Sequence, residues 1–493
     1  MSLLGKLLSP LAGTSRAKLA ATVDAQNATI QSLLRASYDA AKTHANNERH
    51  WANADGFSPD AALSPAVRTK IRNRARYELA NNSYAAGMAS TWARDMVGTG
   101  PRLQLDLGPD VNPRKTRQVE TAFFDWSVEC DLAQKLRLAK QAKIAAGEVF
   151  GLKTNNRKFR KVQLDVKLLE ADQVYSPLGT IELPNEVDGI RFDEDGNPAA
   201  YWVAKYHPGS SFSGWGQDGE WVDADKVLHW FHATRPGQSR GVPEITPALE
   251  LFAMLRRTGR AVVLAYETAA NVSFVLKTTM PADTGGAKTL DLFETMPVVP
   301  NMGVAAPDGW EPVQMKSEHP KSEHSAFVRQ VLNEIARCLD MPYIVAAMDS
   351  SSANYSSMRG DYQVYRKAIN VERSDVERVW LDPILYSWLD EATLISGMIP
   401  RGLPPFSEWN WSWTWDGFEH VDPKKEAEAD AIMLAANMTT LAEVCGKRGK
   451  DSRLVMRKRA EELALQRELG IDPASLSQVA VAAAMQGDEP EDE

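Results

Sequence analysis

The chain has 493 residues, 44% hydrophobic and 25% charged, an ordinary globular balance with material for a large core and roughly two to four domains. Its three cysteines, Cys130, Cys338 and Cys445, lie far apart, which excludes a disulfide framework and a CxxC metal pattern and fits a reducing compartment. A formal net charge of −9 disfavours tight, non-specific DNA binding by the chain as a whole.

No stretch approaches the ~18 apolar residues of a membrane span. The opening Met-Ser-Leu-Leu-Gly-Lys-Leu-Leu-Ser-Pro is too short for a signal sequence and lacks its charged start, so a soluble, intracellular protein is expected. Residues 1–50, rich in Ala, Asn and Ser, read as a loosely amphipathic helical arm. After Pro59 and Pro65, the pattern from Val67 to Leu79 predicts a helix carrying Arg68, Lys70, Arg72, Arg74 and Arg76. Their spacing spreads charge around the helix. A solvated surface helix is expected, with contact to nucleic acid or an acidic partner as the alternative. A helix from Met88 to Met96 ends at Gly98-Thr-Gly100-Pro101, where glycine caps and proline cannot continue.

Leu103, Leu105 and Leu107 alternate as a strand, and Pro113 to Leu138 returns to helix with Val119, Phe123, Trp126 and Leu132. Residues 147–235 read mostly as β. They hold a basic turn at Asn155-Asn-Arg-Lys158, a hairpin turn from Asp193 to Pro198, and a buried strand from Lys226 to His232. A long helix follows from Pro243 to Thr268, with Pro247 in its first turn. Gly259 lies inside it; glycine costs about 1 kcal/mol against alanine there, so it is expected to permit close packing or a bend. Residues 272–320 form a small insert, with a strand at Ser273 to Lys277 and another near Gly303-Val304.

From Ala326 a helical pattern with Phe327, Val328, Val331, Leu332, Ile335 and Leu339 breaks at Asp340-Met341-Pro342. A polar run from Asp349 to Ser357 follows, then a long helical pattern with Met358, Tyr362, Tyr365, Ile369, Val376 and Trp380 on one stripe. A catalytic serine, a hinge and a loop projecting into a channel all fit such a serine-rich link. Trp409, Trp411, Trp413 and Trp415 alternate strictly, so a strand there sets four indoles on one face. A sheet face under helices is expected, a stacking platform for bases being the alternative. From Asp422 the chain is helical and alanine-rich, with a basic run from Lys447 to Arg459; Gly487 to Glu493 is acidic and reads as disordered.

Enzyme motifs are weak. Gly237-Gln-Ser239-Arg-Gly241 matches G-x-S-x-G between a strand and a helix, the setting of a nucleophile elbow. Arg235-Pro236 and Val242-Pro243 interrupt the sharp turn an elbow needs, and His229 and His232 precede the serine where a hydrolase histidine should follow. Gly285-Gly-Ala-Lys288-Thr289 lacks two glycines of a P-loop, so phosphate wrapping is not supported. His229 and His232 fall on opposite faces of a strand and cannot share a metal, while His319 and His324 flank a helix start. No catalytic residue, metal or cofactor is expected.

The order of short segments is more specific. Asn81-Asn82-Ser-Tyr84-Ala-x-Gly87 runs into Val97-Gly98-Thr-Gly100, then Gly147-Glu-Val-Phe, Leu169-Glu-Ala-Asp-Gln-Val174 and the stretch from Asp188-Gly-Ile to Tyr-Trp-Val203. His232-x-x-Arg235-Pro-Gly-Gln-x-Arg-Gly-Val-Pro243, Asn354-Tyr-Ser-Ser-x-Arg359 and Trp411-x-Trp to Val-Asp-Pro423 complete the series. Over roughly residues 35–470 it resembles the lambda-type portal proteins of tailed bacteriophages. The resemblance implies an α+β portal fold with long stem helices, a β-rich wing, a small α/β clip and a helical C-terminal crown. Residues 1–110 would be an arm leading into the wing, 111–240 and 361–420 the wing, and 241–270 and 321–348 the stem. The clip would be 271–320, the tunnel loop 349–360, the crown 421–479, and 480–493 an acidic tail.

The resemblance also implies a homo-oligomeric ring, usually of twelve, at one capsid vertex. Double-stranded DNA would be driven in by a terminase and leave by the same route. Capsid, scaffold and head-completion proteins would be further partners, in the virion and, during assembly, in the host cytoplasm. Twelve copies at −9 carry roughly −108 formal charges, which suits a conduit that must not grip phosphates. Ser350, Ser351, Ser352, Asn354, Tyr355, Ser356 and Arg359 would line the channel. Arg366 and Lys367 are further basic candidates, for which i,i+4 ion pairing on a helix fits equally. A serine hydrolase centred on Ser239 is the alternative.

Overall fold

The computed structural model describes residues 49–177, 179, 184–211, 218–271, 275–278, 310–313, 323–351, 353–418 and 423–471. The expected helical arm before residue 49, the expected strand near Gly303, the Gly285–Thr289 segment, His319 and the acidic end lie outside these residues. The chain divides into two compact units, Met1–Ser58 and Pro59–Glu493. Of the first, residues 49–58 are described, opening on a turn with Ala54 N–H bonded to Trp51 O at 3.0 Å.

The second unit is an α+β structure. After a single turn of helix, α1 (Pro59–Ala62), come α2 (Pro65–Asn81) and α3 (Ser83–Val97), then β1 (Arg102–Asp106). Asn82 separates the two helices because its side chain accepts from Tyr84 N–H, satisfying an otherwise orphaned donor. The helix expected from Pro113 to Leu138 is instead two, α4 (Pro113–Glu129) and α5 (Leu132–Ala146). Asp131 breaks it in the left-handed conformation at φ 55°, which Asp tolerates better than most residues. The break lets Trp126 donate to Leu164 O at 2.9 Å while α5 turns its own apolar face to the same core.

Two small antiparallel sheets carry the β-rich middle. The first has the order β3 (Leu164–Leu169), β2 (Glu148–Asn155), β8 (Val227–Phe231). The second is a meander of β4 (Glu186–Val187), β5 (Ile190–Phe192), β6 (Pro198–Ala204) and β7 (Gly219–Asp223). Phe150, Leu169, Ile190, Tyr201, Val203 and Val227 form a small core between them. A long helix α6 (Leu249–Asn271) follows a short 3-10 turn containing Pro247, so it starts later than Pro243. Nothing lies within 4 Å of where a Cβ on Gly259 would sit. The expected close packing is therefore absent within the described chain. A two-stranded ribbon, β9 (Val275–Thr278) with β10 (Trp310–Val313), then leads towards α7 (Glu323–Arg337).

Next come α8 (Tyr343–Ala347), α9 (Tyr355–Val376), a π-helical stretch (Glu377–Leu381) and α10 (Asp382–Leu394). Pro383, with no N–H to give, stands just after the π stretch, which lets α9 continue into α10 with a changed hydrogen-bond register. Tyr365, Ile369, Val376 and Trp380 are buried on the expected stripe. The tryptophan strand β11 (Asn410–Thr414) pairs antiparallel with β1, setting Leu103 opposite Trp413 and Leu105 opposite Trp411. Trp409, Trp413 and Trp415 are buried, which leaves no stacking platform for bases. Asp382 Oδ1 accepts from both Trp411 and Trp413 Nε1 at 2.9 Å, and Glu377 accepts from Trp415. The chain continues through α11 (Pro423–Ala435), α12 (Leu441–Lys447) and α13 (Ser452–Glu468).

Two outcomes test this packing. Asp382→Ala strands two indole N–H groups and should destabilise the fold by about 2–4 kcal/mol, read as a lowered Tm. Gly259→Ala should raise helix stability by about 1 kcal/mol; a lowered Tm instead would reveal a close contact on that face from outside the described residues.

Candidate functional site

The polar link between α7 and α9 is shorter and more anchored than the sequence pattern suggests. Asp340 and Met348 both adopt positive φ, at 49° and 54°, and bracket the α8 turn. Asp349 Oδ1 accepts from Ser351 N–H at 3.0 Å, and its Oδ2 receives the Tyr343 hydroxyl at 3.4 Å. Hydrogen bonds from the Ser351 hydroxyl and from its N–H, with Tyr343 adding a third, hold the Asp349 carboxyl below its ordinary range. Arg329 lies 4.7 Å over the Tyr343 ring, beside a cavity of about 450 Å³ that separates the link from α7.

Asn354 is the N-cap of α9. It accepts from Ser357 N–H at 2.8 Å, and Ser357 Oγ reaches back towards Asn354 N–H. Tyr355 and Ser356 therefore belong to the first helical turn, and Arg359 to the second. The expected non-helical run 349–357 narrows to 348–354. Ser350, Ser351, Asn354, Tyr355, Ser356 and Arg359 are exposed; Ser352 lies outside the described residues. Lys367 is exposed, whereas half-buried Arg366 packs 5.2 Å from Phe418 and 5.8 Å from Tyr362. The positions four away from these two are Tyr362, Gln363, Asn370 and Val371, so i,i+4 ion pairing is not available to them.

The arginine helix α2 is not the solvated surface that its charge pattern suggests. Arg68 and Arg72 are buried, Arg68 paired with Asp188 and Arg72 with Asp172 at 2.9 Å; Arg76 reaches Asp172 and Glu170. These cations are consumed inside the chain, and the alternative reading, contact with nucleic acid or an acidic partner, loses three of its five charges.

At the centre lies an ion pair that sequence reasoning missed. Glu148 and Arg240, both fully buried, share a bidentate contact, with Nη2 to Oε1 at 2.7 Å and Nε to Oε2 at 2.9 Å. Arg240 also donates to Val174 O at 3.1 Å and to Ala171 O at 3.3 Å, and Gly241 N–H and His229 complete the carboxylate's shell. Burial would raise the Glu148 carboxyl, but Arg240 and His229 hold it well below the usual range. Gly147 and Gly241 permit the approach: a Cβ on Gly241 would collide with the Gly147 carbonyl. Those two glycines, each beside one of the charges, were the available signal.

Ser239 sits next to this hub and is engaged elsewhere. Its N–H and hydroxyl both bond to the Asp60 carboxylate at 2.9 Å, tying the loop to α1. His229 is stacked between Phe150 and Phe231 and held to Glu148, and His232 is exposed. Helix α6 begins ten residues after Ser239, so no elbow forms. The hydrolase alternative is corrected on these grounds.

Several of the segments singled out by their order thus meet, at two points. Those around Glu148, Ala171, Asp188 and Arg240 meet at the hub, and the pair Gly98-Thr99 meets the Trp-rich segment through Asp416, which accepts from Thr99 N–H and Oγ1. The profile of the phage portal proteins of the lambda family matches residues 44–373. The chain belongs to that family. It is 23% identical over 430 residues to a probable portal protein of Halomonas phage phiHAP-1, covering 81% of each chain. It is 21% identical over 478 residues to portal protein B of Escherichia phage lambda, covering 86% of this chain and 89% of that one. Among solved structures, a chain from the neck of an empty gene transfer agent particle, computed with C6 symmetry, matches at TM-score 0.50. That match has 14% identity and covers 80% of this chain and 94% of the other. It shows the fold. Among the described residues, no helix is long and apolar enough to cross a membrane.

A second buried cluster joins the start of α6 to α9 in this portal protein. Lys143 contacts Glu244 at 2.6 Å and Glu372 at 2.5 Å, and Lys140 contacts Glu244 at 2.9 Å while lying 3.9 Å over the Trp92 ring. Burial would raise the Glu244 carboxyl, but Lys140 and Lys143 bring it from 4.5 to about 2. A carboxyl depressed by folding binds fewer protons in the native state, so it adds stability above pH 4.5 that is lost as pH falls towards 2. Glu244→Gln should lower Tm at pH 7 and flatten its fall between pH 4.5 and 2. An unchanged acid profile would show that the cluster does not set acid stability.

Proposed function

We propose that this portal protein assembles as a ring, of twelve copies, at one vertex of the capsid, where it conducts double-stranded DNA inward during packaging and outward at ejection. The observation that carries this reading is the family match across residues 44–373, which takes in both the buried hub and the link between α8 and α9. The role is that of a structural conduit rather than an enzyme, and it calls for no cofactor. Terminase, through its large subunit, the major capsid and scaffold proteins, and a head-completion adaptor are its partners. It resides in the virion, and in the host cytoplasm during assembly.

On this reading 111–240 and 361–420 form the wing, α6 and α7 with their flanks (241–270 and 321–348) the stem, 271–320 the clip, and 421–479 the crown. Residues 349–360 are the tunnel loop. Exposed small hydroxyls at Ser350, Ser351 and Ser356, with Asn354, offer hydrogen bonding without fixed positive charge. Arg359 and Lys367 add exposed cations at the base of the loop. The two ends of the link are held, by Asp349 on one side and the Asn354 cap on the other, so the hydroxyls are presented from a fixed frame.

Electron microscopy of the purified full chain tests this. Rings with a central hole are expected, with residues 349–359 at the narrowest point of the channel. Compact monomers, or rings constricted elsewhere, would overturn the assignment. Ser239→Ala should leave ring formation intact.

A further inference from the structure

A groove of about 630 Å³ runs between the β1–β11 pair, α4 and the start of α13. Its floor is apolar, with Trp411, Leu105 and the half-exposed Phe124. Its rim is basic: Arg117, Lys450, Arg453 and Arg457 form no ion pair within 4 Å among the described residues. The acidic groups present are already engaged. Glu120 accepts from Leu105 N–H at 2.8 Å, Asp451 caps α13 through Arg453 N–H at 2.8 Å, and Asp106 accepts from Gly108 N–H at 3.4 Å. Helix α13 has 17 residues and none fully buried, with Leu454, Met456 and Leu465 exposed. A helix of that length is marginal in water without tertiary cover.

The sequence holds a segment of matching chemistry. Residues 472–493 contain no Lys or Arg; Leu476, Val479, Val481 and Met485 are followed by Asp488, Glu489, Glu491, Asp492 and Glu493. Twenty-two residues can span about 70 Å when extended, against about 26 Å for α13, so the segment can return to the groove at the helix's start. We propose that residues 476–493 of the same chain dock in this groove, apolar residues on the Trp411–Phe124 floor and acidic residues against Arg117, Lys450, Arg453 and Arg457. The docked segment ties the wing to the C-terminal helices and neutralises a basic rim that would otherwise attract phosphate. The apolar floor favours a peptide over nucleic acid, whose backbone would use the rim alone.

Zero-length carbodiimide coupling of the full-length protein, in its assembled form, reads this directly. Lys450 should couple to Asp488–Glu493 within one chain, in a product that migrates as a monomer and is mapped by mass spectrometry. The Arg453→Glu, Arg457→Glu double variant should reduce the yield about five-fold, as should raising salt to about 1 M, which screens exposed charges. Both residues are exposed, so unchanged far-UV circular dichroism is expected. Adding Asp488→Arg and Glu489→Arg to that variant should restore coupling through Glu491–Glu493. A yield indifferent to charge reversal overturns the proposal. So do couplings found only between chains, and protection of Lys450 by duplex DNA but not by the tail.

Discussion

The structure depends on removing two opposite charges from water together. Glu148 at the start of β2 and Arg240 in the loop before α6 are both fully buried, and burying one alone would cost several kcal/mol. Their bidentate contact, with His229, Gly241 N–H and the carbonyls of Ala171 and Val174, supplies nearly every partner the two groups require. Such a pair adds little net stability over a well-packed apolar replacement, yet it fixes geometry, because a misplaced partner leaves a bare charge in the core. The three-stranded sheet, the meander and α2 are held in register through these two residues. Gly147 and Gly241 are small because the backbones that carry the charges must nearly touch.

The Lys140–Lys143–Glu244–Glu372 cluster is a second set of charges removed from water together. Glu244 lies five residues before α6 and Glu372 in the last turns of α9, so the same two lysines hold the base of one long helix against the body of another. Trp92 and Trp230 face the ammonium groups and exclude water from them. Between these rigid joints the α8–α9 link is the exposed exception. It sets Ser350, Ser351 and Asn354 at its surface beside the exposed Met348, and it is fastened at its ends by Asp349 and Asn354. A rigid frame that presents a short polar loop is the physical content of the conduit reading.

Some of this was legible in the residues themselves. The alternation of Trp409 to Trp415 predicts a strand with one buried face, and the stripe from Tyr365 to Trp380 predicts the buried side of α9, because periodicity reports burial directly. Other features gave no local signal. Asp131 breaks a helix that hydrophobic spacing runs straight through, since a left-handed residue is chosen by the packing on both sides of it. Asn354 looked like part of a flexible run, but its carboxamide meets Ser357 N–H and begins a helix. Arg68 and Arg72 looked like surface charge, because partners such as Asp172 and Asp188 lie about a hundred residues away in sequence.

Most element types, the tryptophan face and the family were settled by the sequence, since each follows from local pattern or from the order of short segments; the Ser239 motif stayed open until the structure set its hydroxyl on Asp60 and began α6 ten residues later. Tertiary structure alone decided which charges are buried, that Ser239 ties a loop to Asp60, and that Gly259 faces open space within the described chain. The reason is range. Periodicity and capping act over a few residues, whereas the choice between a solvated arginine and a buried one is made by a carboxylate that the chain brings back from far along its length.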